Sequence, residues 1–189
     1  MSYWTFSDIF EEAGPPVTPF HGGFGLLTLQ SVKKPTYYAY KFLNNLGDTE
    51  LINKDASSWV CKDKNGNIQA LFWDYTLLSP DSSYNQQFYS RIIPSKKLGR
   101  VNLDIMNVPN GKYQISVYRT GYKKNDSFTA YKEIGAPKSL SVNQELDIKK
   151  ASDGTADISE MVEVKGGRLL KTFEMRENDV FFVQFSKVQ

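Results

Sequence analysis

The first 21 residues hold a tryptophan, three acids and the sole histidine of the chain: Trp4, Asp8, Glu11, Glu12 and His21. A pyranose ring offers an apolar face to an aromatic plane and a rim of hydroxyls to carboxylates. Tryptophan and acids at one loop therefore have the makings of a saccharide subsite. On composition alone the same residues also read as packing, with Trp4 in a core and Glu11 and Glu12 as solvated loop charges. Other chemistries have less to work with. A serine triad would have to use His21, and no nucleophile-elbow motif surrounds any serine. The glycines of "GGFG" lack the lysine and the strand-to-helix setting of a phosphate loop and read as backbone turns. Cys61 and His21 are each single, too few for a zinc shell of the usual spacing or for an internal disulfide, and Cys61 reads as a core or strand thiol. Neither a metal nor a cofactor is expected.

These residues belong to a chain of 189, long enough for one well-buried domain and a smaller appendage. It is 40% hydrophobic, 23% charged and 14% aromatic, which excludes disorder and leaves the aromatic excess as the compositional anomaly. A net charge of +2, with basic pairs scattered among polar residues, leaves no stripe for a phosphate backbone, so no nucleic-acid partner is expected. No run of about 18 apolar residues offers a membrane span. Met1 to Phe10 lack the basic and apolar regions of a signal peptide, and a cytoplasmic location is the expectation. Asn125-Asp126-Ser127 satisfies a glycosylation sequon, which has meaning only in a secretory setting.

The elements that must position the opening residues start with "SYWTFS", Ser2 to Ser7, which reads as a strand buried on both faces in a parallel sheet. The connection from Ser7 to Lys33 is longer than loops without a role of their own, and its aromatic content argues for packing. A helix follows, with Pro35 at its first position, Ala39, Phe42, Leu43 and Leu46 on its apolar stripe and Gly47 as its stop. In a (β/α)8 barrel, reactive residues stand at strand ends and in the loops after them, where Trp4 to His21 fall. One such βα unit cannot bury its own strand.

From about Asp55 the apolar period changes to two, with turn signals at Asn65-Gly66, Asn110-Gly111 and Gly166-Gly167. The spacing predicts that "SSWVCK" pairs with "NIQALFWDY", "RVNLDIMNV" with "KYQISVYRT" and "DISEMVEV" with "RLLKTFEM". In the second pair Val101, Leu103, Ile105, Tyr113, Ile115 and Val117 face inward. "VFFVQFS" is a further strand and "SVNQELDIKKAS" a short helix. The expected fold is mainly β: an antiparallel β-sandwich over residues 48–189, preceded at 1–47 by a βα remnant of a barrel. Trp59 and Trp73 read as sandwich core, while Trp59, Trp73, Tyr75, Tyr118 and Tyr122 have as their alternative a carbohydrate platform on an exposed sheet face.

"SYWTFSDIFEE", "PFHGGFGLLT" and "KKPTYYAYKFLNNLG" resemble the last barrel strand, its long loop and the last barrel helix of family 39 glycoside hydrolases, the β-xylosidases related to α-L-iduronidase. "IQALFWDY" and "AYKEIGAPKSLS" look like the β-sandwich that these enzymes carry after their barrel. The resemblance implies a retaining exo-glycosidase that removes xylose from xylo-oligosaccharides, with both catalytic glutamates on barrel strands absent from this sequence. It implies Trp4 as the platform under the sugar, and Glu12, less securely Glu11, as acceptors from its hydroxyls. Adjacent residues on one loop cannot readily flank a glycosidic bond from opposite faces, so no catalytic residue is assigned within the chain. The expected partners are a xylo-oligosaccharide or related sugar and the missing barrel portion, in cis or as a separate chain. Self-association through the apolar residues of the opening is a further expectation. The alternative is a stand-alone β-sandwich module that binds carbohydrate or mediates contacts.

Overall fold

The computed structural model describes residues 3–9, 17–76 and 91–188. These divide into two compact units: one holds 3–9, 17–40, 91–94 and 120–154, the other 41–76, 95–119 and 155–188.

The second unit is built of strands β1 (Thr49–Glu50), β2 (Ser58–Lys62), β3 (Ile68–Trp73), β4 (Lys97–Met106), β5 (Gly111–Thr120), β6 (Ile158–Val164), β7 (Arg168–Arg176) and β8 (Val180–Lys187). They form a six-stranded sheet in the order β1-β2-β3-β8-β5-β6 and a two-stranded sheet of β4 and β7. Alternation along each strand sends one row of side chains inward. Tyr113, Ile115 and Val117 of β5, Phe181, Val183 and Phe185 of β8, and Leu169, Phe173 and Met175 of β7 enter one core. Both sheets thus share a single interior, the layered arrangement of a β-sandwich. Phe173 of the smaller sheet wedges against Phe72 and Phe181 of the larger at 5.2 and 5.5 Å, while Phe72 and Phe181 stack at 5.1 Å. Each such ring contributes about 1.5–3 kcal/mol by leaving water.

The expected β2–β3 hairpin is present, with Ser58 opposite Phe72 and Lys62 opposite Ile68. Its turn is set by Asp63, whose Oδ1 accepts from the amides of Asn65 and Asn67 at 2.9 Å, and by Gly66 at φ +80°. The other two expected hairpins are not formed. β4 pairs with β7, Val101 opposite Phe173, and β5 pairs with β6, Tyr113 opposite Val162. Asn110-Gly111 and Gly166-Gly167 therefore lie in connections that pass from one sheet to the other. The inward rows were read correctly, since Ile105, Tyr113, Ile115 and Val117 are core and Val101 and Leu103 pack on it. Two apolar rows bury each other more fully face to face than side by side in one sheet, and turn residues do not distinguish the two outcomes. The connections brace each other: Val108 N donates to Gly167 O at 3.0 Å and Gly167 N to Asn110 Oδ1 at 3.1 Å.

Trp59 and Trp73 are not core. Trp59 is 42% exposed, Trp73 is half-buried, and the rings meet edge to face at 5.3 Å. β1 is two residues long and its last pair is Glu50 with Cys61, so Trp59 stands beyond the end of the edge strand.

The helix α1 (Pro35–Asn44) begins at proline as expected, and the division between the units falls within it, after Tyr40. Its buried pair is Tyr38 and Phe42, one turn apart, with Ala39, Leu43 and Leu46 half-buried. In the second unit Phe42 stacks on Phe182 at 5.7 Å. Gly47 lies past the helix end and serves close approach rather than a left-handed stop. A Cβ there would stand 2.4 Å from the Lys62 carbonyl carbon, and the Gly47 amide donates to Gln69 Oε1 at 3.1 Å.

The first unit also contains α2 (Ser127–Glu133) and α3 (Val142–Ala151). α3 matches the expected helix and opens with a capping box between Ser141 and Gln144. α2 was not anticipated, although Asp126 caps it by accepting from Thr129 N at 3.0 Å. Phe20, Val32, Tyr131 and Ile148 form the core of this unit. The Tyr38 hydroxyl donates to Ser152 O, and burial, with the charge of Asp153, raises its pKa.

The opening is not a strand buried on both faces. Residues 3–9 make a single parallel bridge, Ser7 with Leu27, and Trp4 and Phe6 are 72% and 64% exposed. Burial on both faces requires layers above and below, and this segment has backbone partners along the 26–27 edge. Among the described residues no helix is long and apolar enough to cross a membrane.

Candidate carbohydrate site

The opening segment is fixed from its backbone outward. Leu26 N donates to Thr5 O at 3.2 Å, Leu27 N to Phe6 O at 3.1 Å and Asp8 N to Leu27 O at 3.0 Å. Asp8 is fully buried, and its Oδ1 accepts from Gly25 N at 2.7 Å and Lys34 Nζ at 2.8 Å, with Lys34 Nζ 2.7 Å from Oδ2. Lys34 also donates to Gly23 O at 3.0 Å. Position 25 admits no side chain, because a Cβ would stand 2.4 Å from Asp8 N. A buried carboxylate persists where it is paired and hydrogen-bonded, and here the pairing ties three segments together. Asp8 is thereby an anchor for the segment bearing Trp4, with Oδ1 held by two hydrogen bonds and Oδ2 facing Lys34 Nζ in the ion pair.

Trp4 presents a large aromatic surface outward, and its peptide bond to Thr5 is cis. Its neighbour Tyr3 packs on Tyr40 at 5.1 Å, and burial, then Tyr40 and the charge of Asp8, raise the Tyr3 pKa. Tyr3, Phe20, Phe128 and Lys34, with the backbone of Gly22, Gly23 and Gly25, line a cleft of about 240 Å³. That is below the roughly 300–1,000 Å³ of ligand pockets and suits no more than a small ring. The aromatic member of the expected subsite is thus exposed on a hydrogen-bonded segment, whereas Glu11 and Glu12 lie outside the described residues. His21 is half-buried in the same unit.

Among the described residues, no group of three or more His, Cys, Asp or Glu is placed to hold a metal. Cys61 is buried, and burial, with Glu50 nearby, pushes its thiol pKa up. The sequon residue Asn125 is 7% exposed and its Oδ1 accepts from Gly154 N at 2.9 Å, so the fold closes it to modification. Reading the sequence missed Lys34 and Gly25. Lys34 lies 26 positions from Asp8, and no local pattern links them. The closeness of Gly25 to Asp8 arises from the returning 25–28 segment.

Comparison with known proteins gives a consistent result. The family described as glycosyl hydrolases family 39 matches residues 1–168. A β-xylosidase of Geobacillus stearothermophilus is 50% identical over 77 residues, 41% of this chain and 15% of that protein. A β-xylosidase of Caldicellulosiruptor saccharolyticus is 58% identical over 45 residues, 24% of this chain and 9% of that protein. Among solved structures, a family 39 enzyme from Xanthomonas axonopodis pv. citri has a TM-score of 0.92 and 35% identity, with 100% of this chain covered and 37% of that one. A monomeric β-xylosidase from Caulobacter crescentus has a TM-score of 0.92 and 32% identity, with coverages of 100% and 38%. The chain thus spans little more than a third of these two solved chains.

Proposed function

Because the chain belongs to glycosyl hydrolases family 39, we propose that it is the carboxyl-terminal part of a retaining exo-glycosidase of β-xylosidase type, acting at the non-reducing end of xylo-oligosaccharides. The carrying observation is the likeness of the whole chain to 37% of a family 39 enzyme at a TM-score of 0.92. In this reading residues 1–47 are the last βα unit of a (β/α)8 barrel and residues 48–189 the β-sandwich domain. Retaining hydrolysis needs an acid/base and a nucleophile with carboxyl groups about 5–5.5 Å apart across the glycosidic bond. Both are assigned to earlier barrel strands, outside these 189 residues, which come from the same polypeptide or from a second one.

The chain's own contribution is to binding. Trp4 lies under the sugar ring, Glu12, or else Glu11, accepts from its hydroxyls, and the Asp8–Lys34 pair holds the Trp4 segment in place. The exposure of Trp4, Phe6 and Phe24 supports a surface that the rest of a barrel covers, or through which copies of the chain associate.

The test is complementation. The purified chain is expected to leave an aryl β-xyloside intact, whereas co-expression with a polypeptide of seven βα units and two facing glutamates restores turnover. Trp4→Ala in the complemented enzyme should lower kcat/KM by about tenfold or more, the loss of one stacked ring. Hydrolysis by the chain alone, or a complemented enzyme indifferent to Trp4→Ala, overturns the reading. The binding-module alternative draws support from the exposure of Trp59 on the sandwich.

A further inference from the structure

At the end where β2 begins and β3 ends, the face of the six-stranded sheet turned from the sandwich core carries an aromatic group with no role in the barrel reading. Further along that face Leu71 and Phe182 are buried, Phe182 against Phe42. Trp59 lies opposite Leu71, and Trp73 lies opposite Val180. The alternate residues Val60, Phe72 and Phe181 belong to the core or pack on it, so the tryptophans occupy the other face. Their rings meet at 5.3 Å and 65°, with Trp59 42% exposed and Tyr75, two positions beyond Trp73, 76% exposed.

β2 begins, β3 ends and β8 begins at this end of the sheet, which brings two polar loops beside the rings. In the first, Asn53 Nδ2 donates to Ser58 Oγ at 2.6 Å, and Asp55 Oδ1 accepts from Ser57 N at 2.9 Å. In the second, Asp74 Oδ2 accepts from Asn178 N at 2.9 Å and Thr76 Oγ1 at 2.7 Å, and Thr76 N donates to Asn178 Oδ1 at 3.0 Å. Strands and stitched loops hold the aromatic surface, so little ordering cost attends binding. Flat apolar rings bordered by amide, carboxylate and hydroxyl groups match the alternation of ring faces and hydroxyls on a sugar chain.

We propose that Trp59, Trp73 and Tyr75 form a non-catalytic saccharide-binding surface on the sandwich, which takes an extended chain of β-linked pyranoses such as xylan. Trp59 stacks on a sugar, Tyr75 adds a second contact, and Trp73 is a positioning residue that props the Trp59 ring. The surface lies wholly within the second unit and does not depend on the assignment of Trp4.

The test uses the full chain in affinity electrophoresis with soluble arabinoxylan and in calorimetry with xylohexaose. Retarded migration is expected, and Trp59→Ala should weaken binding about tenfold or more, as loss of a central aromatic anchor does. Leu170→Ala, an exposed position on the two-stranded sheet, should leave binding unchanged. If Trp59→Ala also lowers the unfolding midpoint, Trp59→Phe decides, and a retained ring should keep affinity within a few-fold. Absence of binding by the wild-type chain, or binding indifferent to Trp59→Ala, overturns the proposal. So does loss of binding on assembly with the barrel polypeptide, which would identify the surface as an interface. Complementation that succeeds while xylan binding fails sinks this surface alone, and the reverse pair of results sinks the catalytic reading alone.

Discussion

The sandwich core and the opening segment use the same kind of residue in opposite ways. In the sandwich Phe72, Phe173, Phe181 and Phe185 come from two sheets and enclose one another, each below a tenth exposed. In the opening segment and its loop, Trp4, Phe6, Ile9, Val17 and Phe24 are each more than three-fifths exposed. Aromatic content alone therefore does not make a core. An apolar row is buried when a second row faces it, and the sandwich supplies both rows while the opening supplies one.

Paired truncations should break or sharpen this contrast most strongly. Phe173→Ala removes the ring that wedges between Phe72 and Phe181 and should cost about 3–5 kcal/mol in urea unfolding. Phe24→Ala should fall within about 0.5 kcal/mol of wild type. Equal costs at the two sites would erase the distinction. A next-largest effect should come from the one buried ion pair described in the opening. Asp8→Ala strands the Lys34 ammonium and should cost about 3 kcal/mol, at the lower end of the range for broken buried pairs because Lys34 keeps 15% exposure. A negligible cost would mean that backbone bonds alone hold the Trp4 segment. Gly47→Ala should cost about 1–3 kcal/mol, since its Cβ meets the Lys62 backbone, and an unchanged midpoint would refute that close approach.

The smallest effect is one of pH. Asp179 is fully buried in the sandwich, 3.5 Å from Arg119, which also lies 3.5 Å from Asp157. Burial raises its pKa above 3.8, with the charge of Asp74 acting the same way, against a hydrogen bond from Arg176 N and the charges of Arg119 and Arg176. The folded chain then binds this proton more tightly than the unfolded chain does. The group's contribution to stability is full below 3.8 and is lost as pH rises through the folded pKa. Asp179→Asn should therefore gain on wild type as pH increases across that window and keep a constant difference above it. A difference that does not vary between pH 3.5 and 7 would show that the buried charge carries no such penalty.

Much of the sandwich was legible because local rules and burial agree there. Period-two rows, the Asn65-Gly66 turn and the short helix of "SVNQELDIKKAS" each depend on residues close in sequence, and each is found where the sequence puts it. The strand partners of β4 and β5 were misread because a Gly-containing turn serves a hairpin and a crossing between sheets equally well. Of the candidate sugar subsite, Trp4 was legible as an aromatic beside acids, whereas its anchor Asp8–Lys34 joins residues from separate segments.

The sequence by itself determined which residues are apolar in which rhythm, where α1 and α3 form and where the chain turns, since these depend on neighbours along the chain. The tertiary structure alone decided which rows face each other, that Trp59 stands outside while Phe72 lies within, and that Gly25 must lack a side chain. Those outcomes depend on distances between remote segments, and such distances exist only once the layers have closed.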